Sequence, residues 1–197
     1  MARKTVDMPD ISSYPWQRRK DYLMLVAAVA AIDQDLHPHE LALLNQWMDQ
    51  FKLPPKSRAA VLAVANYQPL QRRQAIERRL GKTDLVYSLM LDLMGMAMAD
   101  GVLMDNEISL LRGIAANLNF DPIDFHILIE FIHSAHQAAQ LDNPEPLYEH
   151  NMISAFELLR DKKVRLFPHT LLCVSSAEFD RKLKQRWLDF LADGADG

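Results

Sequence analysis

Residues 97–111 read AMADGVLMDNEISLL, and residues 30–44 read AAIDQDLHPHELALL. The two stretches share one frame at an offset of 67 residues. Widened, the match runs without gaps from residues 22–62 onto residues 89–129. Its identities are Ala30/Ala97, Asp33/Asp100, Leu36/Leu103, Glu40/Glu107, Leu43/Leu110, Leu44/Leu111 and Pro55/Pro122. Each copy has an apolar run, an Asp, a Leu, a Glu and then Leu-Leu. Two generic amphipathic helices would share apolar positions, but packing alone does not require matched carboxylates.

The periodicity around this repeat is helical. Tyr22, Val26, Val29 and Asp33 fall on one helical line, as do Leu89, Leu93, Met96 and Asp100. A first helix is predicted from Trp16 to Ile32. A second starts at His37-Pro38, with Pro38 at the first helical position. Leu53-Pro54-Pro55 ends it and opens a third helix that reaches Asn66. An arginine-rich helix follows over residues 68–80, with Gly81 as its C-cap. The second copy repeats the plan. One helix runs from Thr83 or Asp84 to Ala99, the next from Met104 or Asp105 to Asn117, and a third from Asp121-Pro122 to Ala139. Gly101 permits the reversal between the first two. Residues 147–160 and a segment from Ser176 through Phe190 read as further helices, while residues 163–174 fit either a strand or a helix. The fold class expected is all-α: a bundle of two related three-helix units plus C-terminal helices. The expected divisions are a flexible arm over 1–15, a helical domain over 16–140, and an extension over 147–192 on the same core.

Composition narrows the class. The chain has 197 residues, 49% hydrophobic, enough for a sizeable core. A net charge of −4 gives no global case for nucleic acid. A single cysteine, Cys173, excludes an intramolecular disulfide. With no apolar leader segment, a reducing cytoplasmic setting is expected. The apolar runs 22–32 and 85–99, the second broken by Asp92, fall short of the ~18 residues of a spanning helix and read as buried core.

The candidate chemistry sits at Asp33, Glu40, Asp100 and Glu107. Each Glu falls in the first turn of a helix, where it can accept from free backbone N–H groups and complement the dipole. Capping alone would account for the two glutamates. Each Asp falls at the negative end of its helix, which disfavours a carboxylate by up to ~1 kcal/mol. A turn N–H, a basic side chain or a cation must offset that. Four carboxylates meeting across a pseudo-twofold would repel unless a cation neutralised them. Oxygen ligands of this kind suit Ca²⁺ or Mg²⁺, with Asp35 and Asp105 as further ligands. The alternating acidic run of an EF-hand loop is missing.

At these residues the chain resembles the TerB-like domain, named for tellurite-resistance proteins and found beside the J-domain of a membrane-anchored co-chaperone. Its pattern is an apolar helix ending in Ala-Asp-Gly, a turn, then Glu leading a second apolar helix. Ala99-Asp100-Gly101 with Glu107-Ile108-Ser109-Leu110-Leu111 matches it closely. Ile32-Asp33-Gln34 with Glu40-Leu41-Ala42-Leu43-Leu44 matches more loosely, Gln34 standing where the pattern has Gly. The resemblance covers residues 20–140 and implies an all-α bundle, an acidic divalent-metal site, and a scaffolding role in stress or at a membrane. It implies no catalytic activity.

Other residues offer alternatives. His126, Glu130 and His133 share one helical face, but the partner motifs of a di-iron site are missing, so a polar or interface face is expected, with His136 beside it. His37 and His39 flank Pro38 close to Glu40, where capping and exposure are expected. Ser109, Ser154 and Cys173 lie in no nucleophile motif. Six glycines form no phosphate loop. The methionines of the run Met90–Met104 read as core filler. Basic clusters at Arg72, Arg73, Arg78, Arg79 and Lys82, at 160–165 and at 181–186 form solvated faces or dock an acidic protein or anionic lipid. Nucleic acid is disfavoured, since aromatics are not interleaved with the charges. The function expected is a non-enzymatic TerB-like interaction or scaffold module with protein partners, a peripheral membrane association and a conditional Ca²⁺ or Mg²⁺ site. The alternatives are a metalloenzyme using clustered carboxylates with His126 or His133, and a structural adaptor whose acids only cap helices.

Overall fold

A computed structural model describes residues 9–32, 38–66, 69–99, 101–140, 146–170 and 177–193. All regular structure among them is helical. A 3-10 turn at Ile11–Ser13 precedes α1 (Trp16–Ala30), α2 (Pro38–Gln50), α3 (Pro55–Ala65), α4 (Arg73–Leu80), α5 (Val86–Ala97), α6 (Asp105–Asn117), α7 (Pro122–Ala139), α8 (Pro146–Asp161) and α9 (Ala177–Asp193). The all-α expectation holds. The repeat maps α1, α2 and α3 onto α5, α6 and α7. In both copies the shared proline opens the third helix at its first position, where its missing N–H is not needed.

The centre of the bundle is α5. Of its 12 residues all but Tyr87 are buried. A helix apolar on every side must be enclosed by neighbours, and α5 packs against α1, α6 and α7. This accounts for the apolar run 85–99 as core. Among the described residues no helix is long and apolar enough to cross a membrane. The predicted lines Tyr22, Val26, Val29 and Leu89, Leu93, Met96 are all buried. Met90, Met94, Met96 and Met98 lie in the core as expected.

The C-terminal helices extend this core. The Phe131 ring of α7 meets Phe156 of α8 at 6.1 Å, edge to face, and Phe156 meets Trp187 of α9 at 5.1 Å. Full burial of a large apolar side chain contributes ~1.5–3 kcal/mol, so this ladder helps to hold α8 and α9 on the core. Between them, residues 163–170 are neither strand nor helix. The chain leaves α8 through Lys163 at φ 54° and buries Leu166, Phe167 and His169. The arm expected over residues 1–15 is anchored at its end. Ile11 is buried, the Ser12 N–H donates to Asp10 at 2.8 Å, and the Tyr14 hydroxyl donates to Asp84 at 2.6 Å.

Gly81 caps α4, but not for the expected reason. Its φ of −59° is open to any residue. What excludes a side chain is proximity, since a Cβ there would lie 2.7 Å from the carbonyl oxygen of Leu118. Gly81→Ala must push α4 and the end of α6 apart. Overpacking of this kind costs about 1–3 kcal/mol, and urea unfolding should show it as a lower midpoint at unchanged slope. An unchanged midpoint would mean that the α4–α6 junction is slack.

Candidate functional site

The two repeated glutamates occupy equivalent places. Glu40 and Glu107 are each the third residue of their helix, α2 and α6, and both are buried. Glu107 Oε2 accepts from the Met104 N–H at 2.8 Å, the reciprocal contact of an N-terminal cap. Asp105, at the first position of α6, is exposed. Asp33, Asp35 and Asp100 lie outside the described residues, as do His37 and Cys173. Among the described residues no three His, Cys, Asp or Glu side chains are grouped to hold a metal ion.

The second corner has a defined neighbour. Gly101 takes φ 92°, the left-handed reversal its position requires. A Cβ there would come within 2.9 Å of His136 Nε2 of α7, so the corner and α7 touch. Beside them a cavity of about 580 Å³ opens, lined by Gly101, Ser134, His136, Gln137, Leu147 and Tyr148. His126, Glu130 and His133 instead point outward from α7.

The three arginines of α4 and Arg72 at its N-cap divide by role. Arg79 donates to Asp21 Oδ2 of α1 through Nε at 3.1 Å and Nη2 at 2.8 Å. Arg73 lies 3.1 Å from Glu77, whose other oxygen accepts from Asn117 of α6 at 2.8 Å. Arg72, in the left-handed region at φ 60°, and Arg78 face outward. The other basic clusters are likewise tied in part. Lys162 lies 2.8 Å from Asp124 of α7, and Arg186 donates to both oxygens of Glu149 at 2.6 and 2.5 Å. Arg160 lies over the ring of Phe190.

Three of these links perturb ionisation. The Arg186 hydrogen bonds hold the Glu149 carboxyl below its usual range. The bond to Asp124, then that to Tyr87, raises Lys162. Glu77 is different, because burial pushes its carboxyl upward against the pull of Arg73 and Asn117. A carboxyl raised in the folded state opposes folding while ionised. That cost fades as pH falls through the folded value towards the unfolded one. Glu77→Gln removes the charge and keeps an acceptor for Asn117. Its unfolding midpoint at neutral pH should equal or exceed that of the wild type, with the gap closing in acid. A variant clearly less stable at neutral pH would show that the Arg73 pair outweighs burial.

Sequence reasoning passed over a fully buried carboxylate and its partners. Asp92 of α5 is fully enclosed, its Oδ2 accepting from the Tyr22 hydroxyl of α1 at 2.5 Å, with His169 Nε2 at 2.9 Å. The signal was a lone carboxylate inside the apolar run 85–99. His169 gave none, since nothing local in residues 163–174 marks it as buried.

Residues 19–129 match the family model for tellurite resistance protein TerB. The chain belongs to the TerB family. No curated protein and no solved structure matches it. The TerB portion starts within α1 and ends within α7, so it contains both acidic corners, the α4 arginines and Asp92. Helices α8 and α9 and the segment between them lie beyond it.

Proposed function

We propose that this chain is a non-enzymatic TerB interaction module that binds a divalent cation, Ca²⁺ or Mg²⁺, at its acidic corners and docks a protein partner. The observation that carries this reading is the second corner. Gly101, which follows the Asp of the TerB motif, lines a cavity of about 580 Å³ together with His136. A ligand held there would touch the corner, α7 and the start of α8 together. The buried charges support a scaffold rather than turnover. Asp21, Glu77, Asp92 and Asp124 each join one helix to another segment of the chain. Arg72, at the N-cap of α4, and Arg78 face outward, towards an acidic partner or an anionic lipid surface. The setting that fits is cytoplasmic, at the inner membrane face or in a stress response.

The Glu107 cap favours a second reading, in which the repeated acids only terminate helices. Thermal unfolding of the metal-stripped protein with Ca²⁺, Mg²⁺, Mn²⁺ or Zn²⁺ decides between them. A specific site at 100-fold excess over Kd adds ~2.7 kcal/mol, a rise of several degrees. An Asp100→Asn/Glu107→Gln variant should lose that rise while keeping much of the cap. No rise with any ion selects the capping reading.

A further inference from the structure

The family match ends within α7, yet the segment that follows α8 returns to fill the TerB core. His169 is fully buried there against four rings. Its ring centroid lies 4.6 Å from Phe51, 5.5 Å from Trp47, 5.6 Å from Phe167 and 6.0 Å from Tyr22. Phe167 stacks on it at 8°. Asp92 forms one wall, with Oδ2 at 2.9 Å from His169 Nε2. Tyr22, Trp47, Phe51 and Asp92 all fall inside the TerB portion; His169 and Phe167 do not.

The contacts have the character of a charge site. Nε2 of His169 is within ion-pair reach of the Asp92 carboxylate, although neither ring nitrogen makes an aligned hydrogen bond. Among the described residues Asp92 has one hydrogen-bond donor, Tyr22, on Oδ2, and Oδ1 has none. A carboxylate enclosed this way needs a positive charge beside it. Aromatic faces attract a cation held over them, and a desolvated cage strengthens that attraction. A carboxylate and a surround of rings together favour a compact, delocalised monocation.

We infer that the TerB core of this chain contains a cation-binding aromatic cage, built from Tyr22, Trp47, Phe51 and Asp92, and that the C-terminal extension fills it in cis with the side chain of His169. The extension is thus a tethered ligand. The class of free ligand the cage takes is a planar monocation of imidazolium size.

The test uses the full chain with His169→Ala, at a mildly acid pH where free imidazole is protonated. The probes are imidazolium and thiazole, a neutral ring of the same shape. Imidazolium should bind saturably by calorimetry and raise the unfolding midpoint by several degrees. Thiazole should bind at least about tenfold more weakly, and Asp92→Asn in the same background should weaken imidazolium by a similar factor. Equal binding of both probes would overturn the inference, since the space would be merely apolar. Absence of imidazolium binding would overturn it too. If His169→Ala is unfolded alone, refolding with each probe asks the same question. Recovery with imidazolium and not thiazole supports the cage; recovery with both or with neither overturns it. A second pair, His169→Lys and His169→Leu, gives an independent sign. The lysine variant should be the more stable of the two, and the reverse order would mark the site as ordinary core.

Discussion

A carboxylate in the middle of the most buried helix is the constraint around which this protein is arranged. Asp92 cannot reach water, and an uncompensated charge in that position would cost several kcal/mol. Its compensation must come from other parts of the chain, and it comes from two. Tyr22 reaches it from α1, and His169 reaches it from beyond α8. One side chain therefore fixes how the first repeat, the second repeat and the extension meet. A purely apolar α5 would pack as tightly but would leave the depth and rotation of its neighbours less sharply defined.

The same device recurs at lower stakes. Asp21 and Ser88 occupy the same place in the two copies, and each binds a segment lying after its own three-helix unit. Asp21 takes Arg79 of α4, and the Ser88 hydroxyl donates to the Arg165 carbonyl at 2.6 Å. Asp124 draws in both Tyr87 and Lys162. Buried polar groups must be satisfied, and in a bundle whose own helices use up their backbone groups internally, the partners come from side chains of other helices and from connecting segments. Polar contacts thereby specify where the connections lie, while apolar burial supplies most of the driving force.

The two glutamates of the acidic corners follow a local rule. They hold the same helical position in both copies, and Glu107 shows the reciprocal backbone contact of a cap. The corner at Gly101 is shaped by its positive φ, lies against the tip of His136, and opens on the cavity shared with α7 and α8. The helical plan around these corners was legible from the sequence. The repeat, the shared prolines at the start of α3 and α7, and the apolar lines of α1 and α5 are local patterns, and local patterns survive without knowledge of neighbours. The surroundings of the corners were not legible, since His136 and Tyr148 come from distant segments.

By itself the sequence determined an all-α chain with an internal repeat, the starts of most helices, the faces they bury and membership of the TerB pattern. These depend on backbone preference and on hydrophobic period, both of which act over a few residues. Only the tertiary structure decided that Arg79 ties α4 to Asp21 of α1 while Arg78 faces outward, that Gly81 is needed for closeness rather than for its φ, and that Asp92 is held by Tyr22 and His169. Each depends on a partner about 40 to 80 residues away or on a packing distance of a few ångströms. The energy of a charge or a Cβ is set by what surrounds it in space, and sequence spacing carries no record of that.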